Sequence, residues 1–587
     1  MRRSDLLAGA AVSCAAVTLG QSADAAPIAA GPADAALARF LEAEWADALK
    51  RSPETASYQG DRSGDASWDD VSLAAQAANN AHDRDALARL ERIDRRALSD
   101  DTRIDYDLYA QQLRDSIRGY ELQTYCFALN QRGGVQSDST IVDVLPFTSV
   151  ADYEALIARI DAWPRKVDQT LEVLSAAVER RLLWPQVVMA RVPAQIERLN
   201  VAPEDHPFFA PFKTPAPALP AAVASRLREA ARSGIAARVL PAQKKLSSFL
   251  TGTYLPAAPR DVGLSHVPNG ADIYAYFLET NTTTNFGADR IHALGLQEVA
   301  RIRGEMERVA PTTGYAGSVN EVFAAMRADR ANYHPTADAL LEGYRACAKR
   351  IDPELVTLFD PLPRQPYGVF TIPDAIAPDT TAAYYEPGSL DGRRAGGMHV
   401  NLYAPGSRPI YEMPVLTLHE SVPGHHLQFA LANELRALPK FRRTAYYVGY
   451  SEGWGLYAES LGDRIGVYDD PKAKLGALSF EMWRAVRLVV DTGMHALGWS
   501  RDRAIDYFFE NAGRPKLDVT NEIDRYITDP GQACAYKLGQ LKITELRERA
   551  KAKLGDAFDI RAFHAVVLGA GSIPLNVLEA RVEAWLA

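Results

Sequence analysis

Apolar side chains recur with the period of an α-helix along most of this 587-residue chain, and that period limits it to a mainly helical fold. Tyr153, Leu156, Ile157 and Ile160 stand at i, i+3, i+4 and i+7, one face of a helix. Ser149, with Asp152 three residues on, reads as its cap, and Pro164 as its end. Val223, Leu227, Ala230 and Ala231 repeat the pattern, as do Leu575, Leu578 and Val582. The Pro-rich stretch 201–220 must be loop or linker. Strand signals are few. "AGGMHVNLY", residues 395–403, alternates Met398, Val400 and Leu402 against His399 and Asn401 after a turn-rich segment, and predicts a short hairpin or edge strand. An edge strand there could align an extended peptide by strand addition, with His399 and Asn401 facing solvent.

The first 25 residues read as a secretory signal. Arg2 and Arg3 are followed by an apolar run from Leu6 to Leu19, and Ala23-Asp24-Ala25 fits a cleavage site before Ala26. The Arg pair followed by Ser-Asp-Leu-Leu points to twin-arginine export. Ala11-Val12-Ser13 makes a poor lipobox before Cys14, so a lipid anchor is not expected. The protein is expected in the periplasm or secreted. No other apolar run reaches the ~18 residues of a spanning helix, so no stable membrane insertion is expected after signal removal. The expected division is 1–25 signal, 26–255 helical region and 256–587 catalytic region. A net charge of −9 without a Lys/Arg block argues against nucleic acid as a partner. Cys126, Cys347 and Cys534 are too few and too widely spaced for a disulfide framework, though one bridge is allowed.

The chemistry concentrates in "TLHESVPGHHLQF", residues 417–429, which holds three of only eleven histidines beside Glu420. A zinc-peptidase helix spaces its two ligands four apart, as H-E-x-x-H. Here His425 and His426 lie six and seven residues after His419. In an unbroken helix six residues turn by ~240°, and seven return to the same face about 10 Å away. Pro423 removes the hydrogen bond to the His419 carbonyl and clashes with it, and Gly424 permits conformations closed to other residues. The helix is therefore expected to bulge or break at 422–424. His425 then becomes the preferred second ligand, with His426 as the other choice. Glu420 has the position of the general base. Glu452 and Glu459, seven apart on one helical face, offer the third ligand. Glu452 is assigned to it, and Glu459 to a supporting position or an alternative ligand. His82, His206, His266, His292, His334 and His564 read as ordinary surface or core groups.

These residues resemble the bacterial family labelled domain of unknown function 885, itself similar to the gluzincin metallopeptidases. The signature H-E-x-x-P-G-H-H-x-Q is met by His419, Glu420, Pro423, Gly424, His425, His426 and Gln428, and E-G-W-x-L-Y-A-E by Glu452 to Glu459. "VDTGMHALGW" (490–499) and "RYITDPGQACAYKLG" (525–539) match further, so the resemblance covers most of 260–587. It implies a helical body around a deep cleft with a zinc-peptidase-like centre, and the strand signal at 395–403 adds a small hairpin or sheet beside the metal-site helices.

The expectation is an exported hydrolase with one zinc ion on His419, His425 and Glu452. It would act on a short peptide or small amide, with Glu420 as base and Tyr536 stabilising the oxyanion. Arg525, Tyr526 and His495 are the candidate substrate contacts. Arg525 would bind a substrate carboxylate, and His495 would otherwise be a buried partner of Asp491. The alternatives are a zinc amidase or esterase on a non-peptide substrate, and a non-catalytic metal- or peptide-binding protein. Oligomeric state is not legible.

Overall fold

The computed structural model describes residues 31–216, 219–373, 377, 381–389 and 394–587. The signal segment and Cys14 lie outside the described residues. The chain is mainly α-helical, with one three-stranded sheet. Among the described residues no helix is long and apolar enough to cross a membrane.

The helix begun at 150 does not stop at Pro164. It runs Val150–Arg180 without interruption. An interior proline costs a helix about 3 kcal/mol. Ile160, Trp163, Val167, Leu171 and Leu174 bury one continuous face across that point, and packing of this extent outweighs the local penalty. Val223, Leu227 and Ala231 fall on helix Ala221–Gly234, and Leu575, Leu578 and Val582 on helix Leu575–Leu586.

Two hydrophobic cores organise the molecule. One joins helix Val150–Arg180 and its neighbours to helices Ala288–Val309 and Lys516–Thr528. The other joins helices Pro32–Arg51 and Asp100–Glu121 to the sheet and to helices Met413–Glu420 and Val448–Ser460. Helices Pro471–His495 and Gln532–Leu554 contribute to both cores and form the seam between them.

The strands are β1 (Tyr367–Thr371), β2 (Ala383–Glu386) and β3 (Gly396–Val400), in the order β1-β3-β2. β3 pairs parallel with β1 and antiparallel with β2. Consecutive and antiparallel, β2 and β3 make the hairpin that the sequence allowed, whereas the edge-strand alternative fails, because β3 is central and both of its hydrogen-bonding rows are taken. Its period-2 pattern was legible, but Met398 and Val400 pack into the core while His399 stacks on Tyr384. Asn401 is buried rather than solvent-facing, and its amide donates to the Ala377 and Thr381 carbonyls. A peptide cannot add to β3.

Cys126, Cys347 and Cys534 are all free and buried, so the allowed bridge does not form among them. His206 and His564 are satisfied core groups. His564 donates from Nδ1 to the Leu358 carbonyl and accepts from the Tyr457 hydroxyl, and His206 faces Phe208 N–H and Gln243. Burial lowers the pKa values of His206, His495 and His564 to about 4. The unfolded chain binds these protons near pH 6.5, and the folded chain only near 4. Their stabilisation is therefore whole above pH 6.5 and is lost as pH falls toward 4, at about 1.4 kcal/mol per pH unit each. Calorimetry should show Tm dropping steeply between pH 6.5 and 4. A flat Tm across that interval would contradict this account.

Candidate functional site

The helix carrying His419 ends where Pro423 demands it. Helix Met413–Glu420 stops, residues 421–424 turn, and helix His425–Glu434 begins. The Val422–Pro423 peptide is cis. The break is held from three sides. Ser421 N–H and its hydroxyl both donate to the Thr417 carbonyl, and His426 N–H donates to the Ser421 carbonyl at 3.0 Å. The indole of Trp454, fully buried, donates to the Pro423 carbonyl at 2.9 Å. A Cβ at Gly424 would lie 2.0 Å from the His419 carbonyl oxygen, so only glycine allows the chain to turn this closely.

Helix Val448–Ser460 supplies the opposing wall. Glu452, Gly455 and Glu459 share one face of it by their spacing. That face packs on helix Met413–Glu420, and the other on helix Gln532–Leu554. A Cβ at Gly455 would come within 2.6 Å of the His419 ring, so the glycine makes the space into which the imidazole fits.

The outcome is a buried group of His419, His425 and Glu452, whose ligand atoms lie within 4.8 Å of one another. His419 Nε2 and His425 Nε2 are each 3.6 Å from Glu452 Oε2. The edges of a tetrahedron of ligands 2.0–2.1 Å from a small divalent ion measure about 3.4 Å, so these three residues could hold a metal ion with little movement. His419 Nδ1–H donates to Glu459 Oε1 at 2.8 Å, which fixes the tautomer and directs the Nε2 lone pair at Glu452. Burial opposes charge on His419, but Glu452 and Glu459 outweigh it and push its pKa up to about 10. Burial likewise works against the Glu452 carboxylate, yet His419 and His425 hold it well below the ordinary range. The site favours positive charge between these groups, which either a proton or a cation can satisfy.

The two helix-seven neighbours therefore divide their work, Glu452 in the group and Glu459 behind His419. His426 turns the other way. It donates from Nε2 to the Gln365 carbonyl, accepts from the Tyr385 hydroxyl and packs on the Tyr367 ring, tying the site helix to β1 and β2. Both of its nitrogens are engaged here, directed away from the His419–His425–Glu452 group. Burial lowers its pKa to about 4. Glu420 is half-buried, and its charge acts on both His419 and Tyr446.

Tyr446 was not anticipated. Its hydroxyl donates to Glu452 Oε1 at 2.7 Å. The ring is half-exposed, but enclosure of its hydroxyl end and the charge of Glu452 raise its pKa far above the usual phenol value. The only local sign was a Tyr-Tyr pair directly before the helix that carries Glu452. Tyr536 is half-buried nearby, and burial and then Glu452 raise its pKa too.

Three expected substrate contacts are corrected. His495 is 1 % exposed, accepts from Leu264 N–H and donates to the Tyr526 carbonyl. It is a core group and not a partner of Asp491, which accepts instead from Tyr274 and Gly531. Tyr526 is fully buried, with its hydroxyl committed to Glu522, Arg487 and Trp483. Arg525 is paired with Glu522 at 3.0 Å and Gln532 at 2.7 Å, so its fork is occupied from within.

Trp454→Phe tests the break. It leaves the buried Pro423 carbonyl without its donor, at a cost of about 1–3 kcal/mol. Urea denaturation should show that loss, and metal titration a weaker site. Unchanged stability and affinity would mean that the indole bond does not hold the turn.

No protein of curated function matches the chain. A "putative lipoprotein" from Colwellia psychrerythraea superposes with a TM-score of 0.88 at 28 % identity, covering 94 % of this chain and 99 % of that one. A "putative lipoprotein of unknown function" from Shewanella oneidensis shares the fold, with a TM-score of 0.71 at 17 % identity, over 93 % of this chain and 99 % of that one. The profile described as "Bacterial protein of unknown function (DUF885)" matches residues 53–582, and the chain belongs to that family.

Proposed function

We propose that this protein is an exported zinc-dependent hydrolase that cleaves short peptides. The observation that carries the reading is the convergence of His419, His425 and Glu452, one buried ligand atom each within 4.8 Å, with Glu420 directly beside the first. Two imidazoles and a carboxylate suit zinc better than calcium or magnesium. Three protein ligands leave a position open, as catalytic rather than structural zinc requires. Bound zinc supplies a Lewis acid for the scissile carbonyl and makes water acidic enough to ionise near neutral pH.

The chain's own groups do the rest. Glu420 takes the proton of the attacking water and passes it to the leaving amine. Tyr536 donates to the oxygen on which charge develops, while the Tyr446 hydroxyl holds the Glu452 carboxylate in place. Glu459 keeps His419 in the tautomer that leaves Nε2 free. A pure metal clasp has no use for Glu420 at this position. Export rests on the segment 1–25 and agrees with the lipoprotein descriptions of the two structural relatives.

Elemental analysis of the protein after zinc addition and dialysis should find about one zinc per chain. A panel of short peptides, simple amides and esters should show peptides turned over fastest. Absence of stoichiometric metal would overturn the reading. Preference for esters would move it to the non-peptide hydrolases.

A further inference from the structure

Beside the metal group, in the seam between the two cores, four guanidinium groups gather with too few carboxylates. Arg484 and Arg487 lie on helix Pro471–His495, with Arg514 and Arg525 packed against them. Arg484, Arg487 and Arg514 sit 4.9, 5.0 and 4.6 Å from the Trp483 ring centroid. Glu522 answers both Arg487, at 3.1 Å, and Arg525, at 3.0 Å. Glu412 answers Arg514 at 3.0 Å. Among the described residues Arg484 pairs with no carboxylate but Glu459, at 3.9 Å, whose Oε1 already accepts from His419, and its Nη1 donates to the Phe480 carbonyl at 3.5 Å. Four cations thus share two carboxylates of their own.

Arg484 and Arg487 are 7 % and 5 % exposed. Among the described residues Arg484 Nε and Arg487 Nη1 are buried donors without a partner. Buried charged donors are rarely left so unless something else meets them. Burial, opposed by Glu459 and reinforced by Arg487, lowers the pKa of the Arg484 guanidinium, as expected for a surplus of like charge. The rim of the cluster is accessible, since Trp483, Tyr536 and Glu522 are only half-buried.

From this we infer a subsite for a substrate carboxylate at Arg484 and Arg487, which makes the proposed peptide hydrolase one that trims short peptides from their C-terminal end. The inference rests on the hydrolase reading for its reaction but not for its ligand. A guanidinium pair with unpaired donors suits a planar carboxylate bidentately. The position suits a terminus. Arg484 reaches Glu459, which holds His419, and Arg487 lies 4.5 Å from the Tyr536 ring centroid. Tyr536, whose hydroxyl feels the Glu452 charge, links Arg487 to the group, which places the bound carboxylate close to the scissile bond. Arg525, the arginine suggested by the sequence, is instead the inner buttress of this cluster through Glu522.

The test is calorimetric binding to zinc-loaded Glu420→Gln protein, which separates recognition from turnover. Three probes are compared: an N-acetylated tripeptide with a free carboxylate, its C-terminal amide, and an amidated tripeptide carrying an internal glutamate. The free acid should bind about tenfold tighter than the amide, the share of one charge-assisted contact. Arg487→Gln and, separately, Arg484→Gln should bring that ratio close to one, and Arg487→Lys should restore part of it. Because the readout is a ratio within one protein, a general loss of folding lowers both affinities and leaves the ratio informative, and either variant suffices if the other does not fold. Equal binding of acid and amide by the parent protein overturns the subsite. Binding of the internal-glutamate amide as tight as the free acid overturns the C-terminal assignment. Preference for the free acid without hydrolysis by the Glu420 protein sinks the proposed reaction and supports the subsite.

Discussion

Replacement of Glu420 by glutamine should lower turnover by about 10²–10⁴-fold while zinc content stays at the parent level. The amide has nearly the carboxylate's size, so helix Met413–Glu420 and the neighbouring His419 keep their geometry. What it cannot do is accept the water proton, and no other carboxylate in the group is free to replace it. Glu452 faces both histidines and Tyr446, and Glu459 accepts from His419. Steady-state kinetics with the best peptide of the panel, beside elemental analysis, decides the matter. Loss of turnover and metal together would mean that Glu420 is structural. Undiminished turnover would remove it from the mechanism.

Glu452→Ala should abolish both metal and activity. It takes away the carboxylate shared by His419, His425 and Tyr446, and leaves two imidazoles that cannot retain zinc through dialysis. The readout that does not depend on catalysis is thermal. A ligand at a thousand times its Kd stabilises a fold by about 4 kcal/mol, so added zinc should raise the Tm of the parent protein by several degrees and leave the variant unmoved. A variant that still shows the parent's zinc-dependent shift would place the metal elsewhere.

How far the site could be read in advance depends on how local each contact is. Pro423 and Gly424 announce the break between the two histidines, because their effects act on the next turn of backbone. Glu452 and Glu459 announce one face, because seven residues make two turns. Pro164 was misleading for the converse reason. Its penalty is local and small beside the buried face that runs through it. β3 showed its alternation but not its place at the centre of the sheet, since a strand's own sequence does not state how many neighbours it has.

The sequence by itself determined a helical body, a helix broken between two histidines, a glutamate beside the first, and two carboxylates presented on one helix face. Periodicity and backbone restriction suffice for these, because both act within a few residues. The sequence preferred His425 to His426 and Glu452 to Glu459 without closing either choice, and the tertiary structure brings His425 and Glu452 together with His419. Only the tertiary structure brought Tyr446, rather than His495 or Tyr526, to the group. It alone gathered Arg484, Arg487 and Arg514 around Trp483. Those choices depend on which faces the two cores bury against each other, and a side chain's partner across thirty or three hundred residues is set by that packing.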